Sequence, residues 1–173
     1  VNAFRLYEDG TESGSAAIAA QDTNITRLVG ADSKLHLRYR IDETGGKNGA
    51  ATDDYQLQYS KNGGAYANVT ETSANVKADT GSQLTNGGAT TDRAADGISN
   101  PGAGVFVAGI QEAEDGQVAN HTLTASNFTE HVWALVLVQA DLADGNTLAF
   151  RIALNGGTPG MTNNVTPTIT IDV

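Results

Sequence analysis

The amino-acid sequence predicts an all-β fold: a single antiparallel β-sandwich domain over residues 1–173, with long Gly/Thr/Asn-rich loops. Three observations carry this. Residues 55–70 read YQLQYSKNGGAYANVT, with Tyr55, Leu57 and Tyr59 on one side of an extended strand and Gln56, Gln58 and Ser60 on the other. Lys61-Asn62-Gly63-Gly64 then supplies turn residues tolerant of positive φ, which completes a β-hairpin. Residues 34–41 alternate as regularly: Leu35, Leu37, Tyr39 and Ile41 face one way, and Lys34, His36, Arg38 and Arg40 the other, implying a core face and a wet face. Residues 130–140 are apolar on both faces, as expected of a central strand covered on both sides or lying at a subunit interface.

In chain order, residues 3–7 form a short strand closed by Glu8-Asp9-Gly10. Ala16-Ala17-Ile18-Ala19-Ala20 is too short to hold a helix alone and carries no clear stop, so its conformation stays open. Residues 24–29 form the next strand, followed by 34–41 and the hairpin. From 71 to 104 Gly, Thr, Ala, Asn and Asp dominate, and Val76, Leu84 and Ile98 are the only bulky apolar residues. Loops of this length are uncommon inside compact domains and are usually functional, so this segment is the expected contact element. Residues 104–110 and 121–125 are short strands, the first followed by the acidic turn Glu112-Ala113-Glu114-Asp115-Gly116. The spine at 130–140 leads through Asp141-Leu142-Ala143-Asp144-Gly145-Asn146 into 147–154, where Leu148, Phe150, Ile152 and Leu154 alternate with Thr147, Ala149, Arg151 and Ala153. A glycine loop at 155–160 precedes a closing strand at 165–173. Eight to ten short strands separated by Gly, Asn and Asp leave a sandwich or a barrel-like jelly roll open.

Composition bounds the function. A chain of 173 residues buries roughly 70% of its unfolded surface, enough to fold without a disulfide or a metal. Cysteine is absent, which excludes disulfides, thiolate metal sites and a cysteine nucleophile. Lys+Arg 10 against Asp+Glu 20 gives a formal net charge of -10, which disfavours gripping nucleic-acid backbones or anionic lipid. The longest apolar run, 132–138, is far short of the roughly 20 residues that span a bilayer, and the first residues show no basic region followed by an apolar one. No membrane partner is expected.

Residues with chemistry to offer do not form motifs. His36, His121 and His131 lie beside no G-x-S-x-G elbow, and none has the H-E-x-x-H spacing of a zinc site; they read as surface or strand-end histidines. Acidic pairs such as Asp53 with Asp54 and Glu112 with Glu114 read as solvated turns. Turns at 8–10, 112–116 and 141–146 set oxygen ligands near glycines without reproducing a calcium loop. No catalytic, metal or cofactor site is therefore expected. Five Asn-x-Thr sequons follow from an Asn- and Thr-rich composition. The row Lys34, His36, Arg38 and Arg40 is the one local feature opposing the global charge. It reads as a solvated strand face paired with neighbouring acids or, more sharply, as a docking strip.

The hairpin Y-x-L-x-Y-S-x-N-G-G-x-Y and the later A-D-G-N-T-L-x-F-R-I resemble paired strands of immunoglobulin-like and fibronectin type III-like sandwiches. The opening F-R-L-Y-E-D-G-T-E-S-G-S, the segment A-A-Q-D-T-N-I-T-R and the same hairpin resemble small virion proteins of tailed bacteriophages, in which sandwich domains decorate capsids or form fibres and tail parts. The chain is longer than an immunoglobulin module of about 100 residues and lacks its Cys-Trp-Cys core. The resemblance implies a structural virion protein located on the particle, a capsid decoration or cement protein whose partners are a major capsid protein and further copies of itself. The alternative is an extracellular or tail-fibre module recognising a glycan or host surface. The candidate interface is Lys34, His36, Arg38 and Arg40, with Leu84 and Ile98 of the long loop.

Overall fold

Strands whose alternate positions differ in polarity bury their apolar sides by stacking sheet on sheet. The computed structural model, which describes residues 1–30, 33–93, 97–98, 104–154 and 161–173, shows two such sheets. In the first, β1 (Ala3–Glu8) pairs with β3 (Ser33–Asp42), and β3 pairs along its whole length with β9 (Phe128–Leu137). On the far side of β9 lie β7 (Phe106–Glu112) and β6 (Val76–Ala78), end to end. The second sheet runs β2 (Ile25–Leu28), β11 (Thr168–Asp172), β10 (Thr147–Leu154) and β4 (Tyr55–Lys61), and β4 is flanked by β5 (Ala67–Asn68) and β8 (Gln117–Val118). Pairing is antiparallel except between β2 and β11 and between β7 and β9. The expected all-β sandwich is what forms.

The inward faces are those the alternation marks. Leu35, Leu37, Trp133 and Leu135 from the first sheet meet Leu57, Leu148, Phe150 and Ile152 from the second, all fully buried. The Trp133 ring stands edge-on to Tyr39 at 6.1 Å between centroids, and its indole N–H donates to the Gly116 carbonyl at 3.0 Å, so the largest side chain satisfies its only polar atom. The hairpin turns at Asn62 and Gly63, with φ of 52° and 72°, as a two-residue turn of that hand requires. The Asn62 side chain also accepts from the Thr147 N–H at 2.8 Å, fixing the turn to β10.

Several elements differ from the sequence expectation. Residues 16–20 are not helical; Glu8 N–H donates to Ala16 O and Ile18 N–H to Leu6 O, so the run lies along the edge of β1. Residues 121–125 form no strand, because His121 and Leu123 are tied to Asp53 and Gly49 by single backbone bonds rather than by a ladder. The segment 71–104 is not a free loop. It contributes β6 to the first sheet and lays residues 79–93 over that sheet's outer face. The glycine loop 155–160, and residues 94–96 and 99–103 of the long segment, lie outside the described residues.

The pairing of β7 with β9 is irregular. Ala108 stands opposite Glu130 and Gln111 opposite Val132, so β7 spends three steps where β9 spends two, and Gly109 and Ile110 form a bulge. A Cβ added at Gly109 would collide with the Glu130 carbonyl oxygen. Substituting Gly109→Ala is expected to lower unfolding stability by about 1–3 kcal/mol, as forced overpacking does. Urea denaturation measures this, and an unchanged midpoint would mean that the bulge shifts aside freely.

Candidate functional site

The outer face of the first sheet gathers the charges that the alternation of β3 projects away from the core. Arg38 and Arg40 on β3 stand beside Arg5 and Ala3 of β1 and beside Val132 and Glu130 of β9. This face is covered. His36, Arg38 and Arg40 are 1%, 1% and 2% exposed, against the wet face expected from the sequence. The reason is the layer formed by residues 9–19, 79–93 and 97–98, which supplies partners for His36 and Arg38, while Arg40 is paired with Asp42 of its own strand, so the cost of burying each is offset.

Arg38 is the centre of that layer. Its Nε donates to Glu130 Oε2 at 2.5 Å, one terminal nitrogen to Glu12 Oε1 at 2.6 Å, and the other to the Thr91 carbonyl. Glu12 in turn accepts from the Thr91 N–H at 3.0 Å and the Thr91 hydroxyl at 2.9 Å. Arg93 lies with its guanidinium 4.7 Å from the Tyr7 ring centroid and donates to the carbonyls of Glu12 and Ser15. Arg5 donates to Ala19 O and Gly97 O, tying both covering segments to β1. Arg40 donates to Asp42 at 2.6 Å and lies 4.2 Å over the Phe128 ring. Of the outer row of β3, Lys34 alone keeps a partly exposed side chain, paired with Asp79 at 2.8 Å.

The two carboxylates facing Arg38 behave differently. Burial pushes the Glu130 carboxyl above its ordinary range in spite of Arg38, and its Oε1 has no hydrogen-bond partner among the described residues. Burial acts on Glu12 in the same direction, but the Thr91 N–H and Arg38 outweigh it and hold the carboxyl below its usual value. Glu12, with more donors, is therefore the firmer counter-charge.

Of the sequence-selected interface residues, only Lys34 reaches the surface. Leu84 packs with Ala113, Val132 and Ala134 in a second apolar cluster beneath the covering layer, and Ile98 is 1% exposed. Residues 79–93 and 97–98 of the long segment are thus sealed on their own sheet, and the docking strip is corrected at His36, Arg38 and Arg40 to an internal anchor. Reversing Arg38 and Arg40 to Glu would disrupt the fold rather than probe docking.

None of the three histidines is a surface residue. His36 Nε2 lies 3.1 Å from both Asp9 Oδ1 and Ser82 Oγ, a serine that no sequence motif pointed to. A relay would need the acid on one ring nitrogen and the serine on the other. Here both share Nε2, Nδ1 has no partner, and the Ser82 oxygen is held by the Leu84 N–H. Burial lowers the His36 basicity, opposed by Asp9. His121 and His131 lie 4.6 Å apart between ring centroids, with Tyr55 5.0 Å from His131. They hold the β7 bulge: His121 Nε2 donates to Ala108 O at 2.9 Å, and Ile110 N–H donates to His131 Nδ1 at 3.0 Å.

The acidic turns are also committed. Glu8 holds Arg27 through two 2.7 Å bonds, and Glu112 accepts the N–H groups of Glu114 and Asp115. Among the described residues, no three His, Asp or Glu side chains gather as a ligand set. A cleft of about 210 Å³ opens at one end of the sandwich, floored by Ile41, Tyr55 and Leu123 and rimmed by Asp42, Glu43 and Lys47. Among the described residues, no helix is long and apolar enough to cross a membrane. Compared with known proteins, the chain matches no family model and no curated sequence.

Proposed function

We propose that the chain is a structural virion protein of a tailed phage, a decoration protein docking on an assembled lattice of major capsid protein, as its sequence resemblance implies. The observation that supports this reading is the covering layer locked to the first sheet by Arg38, Arg93 and Arg5. A protein that adheres by area and shape gains from a surface ordered before contact, because immobilising each long side chain on binding costs about 0.5–1.5 kcal/mol. A footprint of about 800 Å² per protomer, shared over several lattice subunits, would select assembled particles over free subunits. The formal charge of -10 favours a basic region of the lattice and governs register more than affinity.

Particles lacking the protein provide the test. Co-sedimentation of the purified chain with them, accompanied by a higher particle melting temperature, is the expected result. Retention on a glycan array without particle binding would move the assignment to the glycan- or host-binding module. That module would use the groove of about 480 Å³ beside Lys34, Lys77 and Asp79, within the ~300–1,000 Å³ of ligand pockets, rather than the end cleft of about 210 Å³.

A further inference from the structure

An unpaired sheet edge is a template for another strand, and folded chains close theirs. Among the described residues, β1, β7 and β4 each have a covering segment. The free side of β1 is covered by residues 16–22, through the bonds of Glu8 and Ile18 and through Asp22 N–H to Phe4 O at 3.0 Å. The free side of β7 is covered by 87–90, through Gly87 N–H to Gln111 O, Gln111 N–H to Gly88 O and Thr90 N–H to Gly109 O. On β4, β5 and β8 complete the edge, with Leu57 bonded between them to Gly116 and Val69. The fourth edge, β2, has no such cover among the described residues.

Val29 N–H donates to Asp172 O at 2.8 Å, so the parallel ladder turns Ile25, Arg27 and Val29 toward β11. The backbone N–H and C=O groups of Thr26 and Leu28 face outward, and the Leu28 carbonyl already accepts from the Ser33 hydroxyl at 3.4 Å, which leaves Thr26 with both groups open. Leu28 is 68% exposed. Apart from its shortness, β2 lacks the usual deterrents of lysine, proline or a bulge, and its one charge, Arg27, is turned inward to Glu8.

We propose that β2 pairs with β2 of a second copy, antiparallel about a two-fold axis through Thr26. A two-fold axis in a hydrogen-bonded register lies between two copies of a residue whose N–H and C=O are both turned outward and open, and Thr26 meets this where Leu28, with its carbonyl taken by Ser33, does not. Thr26 then faces Thr26 of the second copy, Leu28 faces its Asn24, and Ile25 faces its Arg27. No like charges are directly opposed, and Thr–Thr is a favourable cross-strand pair. Ile25 and Val29, which point into the core, bring the two apolar layers into line. The contact is short, at the low end of interface sizes, and each copy carries -10, so the dimer is weak and is tightened by salt that screens the repulsion. This pairing goes beyond the assembly reading and does not depend on the particle.

Because the chain has no cysteine, Thr26→Cys gives a direct test. Across a hydrogen-bonded antiparallel pair the Cα atoms lie about 5.5 Å apart, within disulfide range. Mild oxidation of T26C is expected to yield a covalent dimer, whereas N24C and L28C link only when mixed. In sedimentation of the unmodified chain, Thr26→Pro is expected to keep the monomer's melting temperature and to raise the dimer dissociation constant at least about tenfold, because it removes an outward N–H alone. A chain that stays monomeric up to about millimolar concentration in salt overturns the proposal, as does N24C linking to itself as readily as T26C. A T26P chain that still coats particles would leave the decoration reading intact, and a dimer that ignores particles would do the reverse.

Discussion

Replacing Arg38 by methionine is expected to destabilise the chain by about 3–5 kcal/mol, a fall of roughly 10 °C or more in melting temperature for a domain of this size. The size of the effect comes from what is left behind. Glu130 is 0% exposed and Glu12 only 9%, and both lose the cation that offset their burial. The covering layer loses its central anchor as well, since Thr91 is tied to Arg38 directly and through Glu12. Each loss has its own measurement: urea unfolding for the global stability, and trypsin cleavage at Arg93, now 7% exposed, for local release of the layer. The double variant R38M/E130L should recover part of the loss, because it removes the stranded charge along with its partner. Lys34→Ala is the control. Its ion pair with Asp79 has a lysine side chain 38% exposed and should contribute under ~1 kcal/mol. If R38M falls within that same range, the buried network does not hold the layer.

This anchor also marks where the sequence stops being legible. Alternation in β3, β4 and β10 identifies the inward faces correctly, because a period of two is read from the strand's own residues. It assigns the opposite face of β3 to solvent for the same reason: Lys, His and Arg at every second position look wet unless a distant segment is known to cover them. The partners of Arg38 come from positions 12, 91 and 130, and no local pattern connects these. One signal is present. Residues 130–140 read as buried on both faces, and a neighbour of such a strand, paired with it along ten positions, shares its cover. The same non-local pairing brings His121 and His131 together across a bulge whose cause, the closeness of Gly109 to the Glu130 carbonyl, is a matter of backbone contact that sequence spacing does not reveal. The parallel placement of β7 and β2 has the same origin, since chain order alone suggests antiparallel neighbours.

Acid should release that bulge before it unfolds the rest. Burial, then His121 and Arg38, hold the His131 imidazole well below its ordinary value of 6.5 in the native chain, while an unfolded chain takes up the proton at the ordinary value. At this residue the unfolded state therefore binds more protons below about pH 6.5, and the His131 contribution to stability, level above that pH, declines as pH falls until the native ring itself is protonated. Each histidine so held contributes a slope of up to ~1.4 kcal/mol per pH unit, and His36, lowered chiefly by burial, acts in the same direction. Glu130 and Glu112 act oppositely, because burial raises both and protonation near and above pH 4.5 favours the native state. Glu8 and Glu12 are lowered, and their contribution is lost only below pH 4.5. The added decline that sets in below pH 6.5 thus belongs to His131 and His36, on top of one of the same sign from the buried Val1 amino group, which burial holds below its ordinary value of 8.0. A proton on His131 Nδ1 also removes the acceptor of the Ile110 N–H, so as the pH is lowered hydrogen exchange at Ile110 and Gln111 should lose protection ahead of the β3 amides. His131→Gln offers a carbonyl to the same N–H and takes up no proton. Its denaturation midpoint should fall less steeply with acid than that of the unsubstituted chain, and two parallel curves would show that His131 does not govern the response.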